Sequence, residues 1–276
     1  MRVEVSPLAV EDDWAVGRGA VDEANFQAGR VGPYRLGKRV RKTAFGELVL
    51  AIDPRAESIL EIDLLDALAR TPLTAPDGLL MGDLAQAATI RHRHVAPIVG
   101  SGFEDGVPYV VRPHRLGRTL AELIERAGPG LEPDAAAAIL YSVADALEGL
   151  AQEGPQPGAC AMGGFDDRDV FLGFDGSTAL TGVGLKQARP AKDEDPVAAD
   201  LTSAFALARL LDLAARAGLS SAIAGAQSAA DLTRAVRRRF GPACAGRRRF
   251  VAAALRIAFE DALREERAYF GLAPLQ

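Results

Sequence analysis

Few side chains in this sequence have the types and spacing that metal chemistry requires. Its three histidines are His92, His94 and His114, and its two cysteines, Cys160 and Cys244, lie far apart. A zinc site needs about four clustered nitrogen or sulfur ligands. The pattern therefore predicts two incidental cysteines and no zinc site.

Lysine is scarce, and none lies between residues 42 and 186. The four lysines of the chain are Lys38, Lys42, Lys186 and Lys192.

Arginine supplies most of the basic charge and is concentrated in two RRRF sequences, at 237–240 and 247–250. They are typical of solvated helical faces that each bury a phenylalanine; alternatively, they form a basic patch for an acidic protein partner. The net charge of −5 and the lack of interleaved aromatic residues disfavour nucleic acid. The partner-binding candidates are Arg237, Arg238, Arg239, Arg247, Arg248 and Arg249.

The composition of the 276-residue chain is 49% hydrophobic and 25% charged, which is ordinary for a globular protein. It excludes a disordered regulator and a disulfide scaffold. No run approaches the roughly 18 apolar residues of a membrane span, so we expect no membrane insertion. The N-terminus has early acids and no apolar stretch of the signal-peptide type. The predicted location is therefore the cytoplasm.

Periodicity predicts a small sheet followed by helices. Residues 1–32 show no clear period and are interpreted as an N-terminal extension or linker. Strands are predicted at 34–40, 48–52, 59–64, 95–99 and 108–111, with a helix at 81–91. Helices are predicted at 120–126 and 133–152, a hairpin at 169–172 and 178–181, and further helices from 196 to 269.

The order of these elements and several local sequences resemble bacterial serine/threonine protein kinases. The similarity runs from about Gly32 to about Tyr269, and IRHRHVAPIVGSGFEDGVPYVVRPHRLGRTLAELI is the most specific part. The resemblance implies a bilobal α+β fold, with a mainly antiparallel N-lobe carrying one helix at 33–112 and a larger helical C-lobe at 113–276.

The same alignment implies that the N-lobe lacks the groups that bind ATP. In the glycine-rich loop, Arg41 and Thr43 replace two glycines and only Gly46 is retained. Asp63, or Ile62 if the strand slips by one residue, stands where the family has its phosphate-binding lysine.

Other positions of the implied nucleotide cleft are altered as well. Glu61 replaces the small residue that packs on adenine, and Arg112 takes the gatekeeper position, to pair with an acid such as Asp83 or to bind an anion. His114 and Arg115 align with the hinge, whose backbone can still offer hydrogen bonds. We therefore expect no cofactor, and a vestigial cleft formed by Gly46, Glu61, Arg112, His114 and Arg115.

The catalytic loop is altered in a similar way. Gly164 aligns with the catalytic base and cannot accept a proton. Asp166 replaces the lysine that steadies the γ-phosphate, and Asp169, which replaces the metal-binding asparagine, is a weak metal candidate. Gly182 replaces the principal magnesium-binding aspartate. The segment from Gly184 to an aspartate at position 200, which resembles the one that opens a C-lobe helix, is too short to hold a protein substrate.

Other residues in this alignment have structural interpretations. His92 and His94 align with a turn before a strand, where we expect structural histidines, or else a ligand or a pH switch. Met162 and Val183 replace residues that stack in the hydrophobic core of kinases, and both can still be packed.

The sequence therefore predicts a catalytically inactive pseudokinase that acts as a protein-interaction, regulatory or scaffold module in signalling. One alternative is a residual phosphotransferase or nucleotidyl transferase, which would use Lys42 as the phosphate cation and Asp169, alone or with Asp166 or Asp167, as the metal ligand. Another is a sensor of an anion other than ATP, recognised by Arg41 and Arg112.

Overall fold

The computed structural model describes residues 29–56, 58–69, 79–153, 160–185, 195–241 and 247–270. Most of the predicted N-terminal extension, most of the acidic stretch at 190–196, Cys244, Lys186 and Lys192 lie outside the described residues. The chain divides into two compact units. The sheet unit comprises the described residues up to Thr89, Pro97–Leu116 and Asp261 onward; the helical unit comprises Ile90–Ala96 and Gly117–Glu260.

The sheet unit is built on six antiparallel strands in the order β1-β2-β3-β4-β6-β5. Its strands are β1 (Gly29–Val31), β2 (Tyr34–Lys42), β3 (Glu47–Asp53), β4 (Ser58–Leu64), β5 (Gly100–Glu104) and β6 (Val107–Pro113), and its one complete helix is α1 (Leu79–Ala87). Alternating residues of a strand point to opposite faces. Leu60, Ile62 and Val111 lie on one face of the sheet and belong to one buried apolar cluster with Val31, Ala51 and Tyr109.

The predicted strand at 95–99 is wrong. Strand β5 begins at Gly100, and Val95 makes only an isolated bridge to Leu180. Pro97 has no backbone N–H and interrupts any ladder through this segment, although its run of apolar residues resembles a buried strand. The helix predicted at 81–91 is present as α1 but begins and ends earlier.

The helical unit begins with a small sheet and two helices that follow the predicted pattern. Strands β7 (Gly117–Thr119), β8 (Val170–Gly173) and β9 (Thr178–Leu180) form a three-stranded sheet. Helix α2 (Leu120–Ala127) starts in a capping box, in which Thr119 and Glu122 satisfy each other's backbone N–H groups. Helix α3 (Pro133–Gln152) has proline in its first turn, a favoured position.

The described residues from 195 onward contain four further helices, in the region predicted to be helical (196–269). They are α4 (Pro196–Ala215), α5 (Leu219–Ile223), α6 (Ala229–Phe240) and α7 (Arg248–Tyr269). Helix α7 has a non-helical backbone at Phe259 (φ −133°, ψ 30°), directly before its division between the two units. In the part of the chain that the structure describes, no helix is both long and apolar enough to cross a bilayer.

Candidate functional site

The strands of the sheet unit bring most of the predicted cleft residues to one face of the sheet. In the register of β3 and β4, Leu50 lies opposite Glu61 and Leu48 opposite Asp63. In the register of β4 and β6, Glu61 lies opposite Arg112. Directly opposed residues point to the same side. We call this side the Glu61 face. Its residues are Leu48, Leu50, Ile52, Ile59, Glu61, Asp63, Val110 and Arg112.

Charged groups on the Glu61 face are paired with one another. Nδ1 of His114 lies 2.8 Å from Oε1 of Glu61, and a guanidinium nitrogen of Arg112 lies 3.8 Å from Oδ2 of Asp63. The Arg112, Asp63 and His114 side chains are buried. The predicted pairing of Arg112 with an acid is therefore found with Asp63. The same guanidinium would have to leave this carboxylate to bind a free anion.

The glycine-rich loop is tied to this face by its own side chain. The Thr43 hydroxyl donates to Oδ1 of Asp63 (3.0 Å), and the Thr43 N–H donates to the carbonyl of Gly46 (2.8 Å). A Cβ on Gly46 would lie 1.9 Å from the carbonyl oxygen of Leu64. The one retained glycine therefore permits close packing of the loop against the end of β4.

The hinge position is engaged as well. The His114 N–H donates to the carbonyl of Ile59 (3.2 Å), so this backbone donor is used within the sheet unit. The expectation that the hinge backbone remains available does not hold for His114. Arg115, the next residue, is half-buried.

Burial raises the pKa of both acids of the Glu61 face, but their charged and hydrogen-bonding neighbours leave the overall pKa shifts opposite in direction. Burial alone would raise the pKa of Glu61, but the hydrogen bond and charge of His114, with Arg41 and Arg112, lower it overall. Burial raises the pKa of Asp63, and the weaker effects of Arg112, Thr43 and Arg41 do not reverse this. The difference follows from geometry, because 3.8 Å is long for a charge-assisted hydrogen bond whereas 2.8 Å is short.

We expect Glu61→Gln and Asp63→Asn to change stability with opposite pH dependences. A lowered folded-state pKa stabilises the fold above the ordinary glutamate value of 4.5, and this contribution is lost as the pH falls through the folded pKa. A raised pKa at Asp63 makes stability fall as the pH rises through its folded value. The measurement is urea unfolding from about pH 3.5 to about pH 7. Over this range the free energy of unfolding of wild type minus that of Glu61→Gln should increase, and the same difference for Asp63→Asn should decrease. If both differences changed in the same direction, the opposite pKa shifts of the two acids would be contradicted.

Lys42, the cation that a residual transferase would require, points away from this face. Arg41 pairs with Leu48 on the Glu61 face, whereas Lys42 pairs with Glu47 and is exposed on the other side. Arg41 therefore lies near the two acids, and its charge lowers the pKa of both.

In the helical unit, the predicted catalytic loop is held by Asp200. The N–H groups of Met162 and Gly164 donate to its two carboxylate oxygens, each at 2.8 Å. Gly164 has a φ of +94°, a conformation that disfavours any side chain, including that of an aspartate base. Asp200 was expected to open its helix, but it is the fifth residue of α4, which Asp195 caps instead.

The predicted metal candidate is part of a local hydrogen-bonded turn. Asp166 N–H donates to Oδ2 of Asp169 (3.1 Å), and the backbone carbonyl of Asp169 accepts from the N–H of Thr181 (2.9 Å). Among the described residues, no three histidine, cysteine or carboxylate side chains are grouped as metal ligands would be. Gly182 follows in the turn after β9, and Met162 and Val183 are both buried.

The two predicted turn histidines surround a carboxylate. Nε2 of His92 lies 3.6 Å from Oδ2 of Asp145, Nε2 of His94 lies 3.9 Å from it, and Arg93 also contacts it. Nδ1 of His94 lies 2.8 Å from the carbonyl of Thr178. This arrangement fits the structural role, since it joins the turn to α3 and β9.

The six arginine candidates differ in what they contact. Arg237 bonds the Tyr141 hydroxyl and lies 5.1 Å from its ring, and Arg247 forms an ion pair with Asp134. These two are therefore structural contacts of α3. The others are exposed on α6 and α7, and they are Arg238, Arg239, Arg248 and Arg249.

Comparison with solved structures supports the architecture deduced from these strands and helices. A crystal structure of the Mycobacterium tuberculosis PknI kinase domain matches with a TM-score of 0.59 and 18% sequence identity, over 76% of this chain and 96% of that chain. A double mutant of that domain matches with a TM-score of 0.56 and 19% identity, over 81% and 96%. The chain has the protein kinase fold.

The resemblance inferred from the sequence is therefore confirmed at the level of the kinase fold. No protein-family profile matches the sequence, and no curated protein is detectably similar to it. The kinase fold hosts its chemistry in particular side chains, so what this chain does has to be argued from its own residues.

Sequence reasoning missed one component of the Glu61 face altogether. Tyr269 and Phe270, at the end of α7, pack on its apolar part with Leu50, Ile52 and Ile59. The two aromatic residues follow a helical pattern in the sequence. Such a pattern shows which side of a helix is buried, but it does not show which other element that side packs against.

Proposed function

We propose that this chain is a catalytically inactive kinase-fold module that acts by binding a protein partner. The observation that carries the proposal is the pair of acids on the Glu61 face. By the alignment, Asp63 stands where kinases place the lysine that binds phosphates and Glu61 where they pack adenine. Acidic side chains at both positions offer no positive charge to a triphosphate, and the neighbouring Arg112 and His114 side chains are already engaged with them.

Three further features support the absence of phosphoryl transfer. Such transfer requires a positioned base, metal carboxylates and a cation at the phosphates. Gly164 offers no base, Gly182 no carboxylate, and Lys42 lies on the opposite side of the sheet from Asp63. Gly164 has a left-handed backbone and its N–H is bonded to Asp200, while the nearby Met162 and Val183 are buried.

The partner surface that the charges favour is the N-terminal half of α7. Arg248, Arg249 and Arg256 line a shallow groove together with Ala252 and with Ile257, which is 85% exposed. Asp175 also lines this groove, so the three arginines outnumber its one carboxylate. An exposed large aliphatic side chain among arginines is typical of a surface that binds an acidic amphipathic segment. This retains the basic-patch interpretation for Arg248 and Arg249, with Arg256 added.

We expect ATP with magnesium to leave the thermal unfolding midpoint of the full chain unchanged. A ligand that binds only the folded state adds about 2.7 kcal/mol at a hundredfold excess over its Kd, enough for a shift of several degrees. The PknI kinase domain in the same assay serves as the positive control. A magnesium-dependent shift that is lost in Asp169→Ala or Lys42→Ala would overturn the proposal in favour of a residual transferase.

A further inference from the structure

The Glu61 face is covered by a segment from the far end of the sequence. Residues 261–270 belong to the sheet unit, although more than 140 residues of the helical unit separate them from β6. We call residues 261–270 the C-terminal segment. It follows the non-helical backbone at Phe259, so it is a distinct helical piece joined through one irregular residue.

Phe270 makes the apolar part of this contact. Its side chain is 1% exposed and forms one cluster with Leu50, Ile52 and Ile59. Its ring centroid lies 4.9 Å from that of His114. A flat aromatic ring therefore occupies the apolar end of the Glu61 face, next to the hinge histidine.

Polar contacts fix the orientation of the segment. Oε1 of Glu266 lies 3.9 Å from Nε2 of His114, whose Nδ1 is bonded to Glu61. Tyr269 packs edge-on against Phe270, and Nζ of Lys38 lies 4.1 Å above the Tyr269 ring. The carboxylate of the segment therefore faces a histidine of the sheet unit, and the aromatic pair one helical turn later faces an apolar patch and a lysine.

We propose that the Glu61 face is a docking site for an amphipathic helical segment that carries a carboxylate and, one turn later, an aromatic pair. The C-terminal segment of the same chain occupies this site in the structure. The inference rests on the proposed function, because it assigns the face to a peptide where a kinase would hold a nucleotide. The segment is joined through the irregular residue at 259, and Arg264, Glu265 and Ala268 are exposed on its outer side. In this proposal the segment opens at that residue while the sheet stays folded.

The test uses the full chain with Phe270→Ala and a synthetic peptide of residues 257–270. We expect the wild-type peptide, at a hundredfold excess over its Kd, to raise the unfolding midpoint of the variant by about 5–10 °C. The matched control is the same peptide with Phe270→Ala, which should give no shift. A folded variant that responds equally to both peptides would overturn the proposal.

A second measurement keeps the proposal testable if Phe270→Ala does not fold. In hydrogen exchange on the wild-type chain, amides of residues 261–270 should exchange at least about 100-fold faster than those in the middle of α3, through local opening. Equal exchange, with the segment opening only on global unfolding, would overturn it. Magnesium-dependent ATP binding that leaves the exchange of residues 261–270 unchanged would refute the proposed inactivity and not peptide docking, so the two failures are distinguishable.

Discussion

Replacing Asp200 by alanine should destabilise the protein by about 3–5 kcal/mol, one of the two largest effects we expect. A hydrogen bond to a charged group contributes about 1.5–3 kcal/mol, and Asp200 accepts two, from Met162 and Gly164. The side chain is buried, so water cannot replace it at these two N–H groups. Urea unfolding followed by circular dichroism measures the loss.

The matched control for this substitution is Asp195→Ala in the same helix. Asp195 caps α4 through the N–H of Val197 but is exposed, so its loss should cost about 0.5–2 kcal/mol. If Asp200→Ala cost no more than Asp195→Ala, the loop at 162–164 would not depend on this carboxylate. Its glycines would then need another explanation.

Gly46→Ala should be the other large effect, and Gly82→Ala should have the opposite sign. A Cβ at Gly46 would lie 1.9 Å from the Leu64 carbonyl oxygen and 2.1 Å from Oδ1 of Asp66. Overpacking of this kind costs about 1–3 kcal/mol or more. Gly82 is exposed in α1 and has no atom within 4 Å of the added Cβ, so alanine there should stabilise the chain by about 0.5–1 kcal/mol.

Both glycine variants can be compared in one series of chemical denaturation curves. Because each introduces the same methyl group into the same unit, the difference between them reports local packing. A neutral Gly46→Ala would mean that the loop can move away from β4. The retained glycine would then be free to serve another purpose, such as approach to a ligand.

Much of the fold could be predicted because its signals are local. Helix α3 is specified by its apolar spacing and by Pro133, and β3 and β4 by apolar runs on either side of the turn at Asp53. The segment at 95–99 misled because its run of apolar residues resembles that of a strand, while the missing N–H of Pro97 decides its pairing. Local patterns therefore gave the elements, and their ends were less certain.

The candidate site could be predicted only in part, since alignment names positions but not their contacts. It identified Asp63 and Glu61 as departures from the kinase pattern. It could not show that Thr43 bonds Asp63 or that His114 lies between two carboxylates, because these contacts join residues distant in sequence. The packing of Phe270 on β3 and β4 is the extreme case, and nothing near Phe270 in the sequence indicates it.

That packing has a consequence for how the protein is made. About 210 residues separate Ile59 from Phe270, and ribosomes add about 5–20 residues per second. The strands are therefore synthesised roughly 10–40 s before Phe270, the aromatic residue that packs on them. During that interval Leu50, Ile52 and Ile59 lack the ring that covers them, which makes the nascent sheet a target for chaperones and a site where translation stalls would promote aggregation.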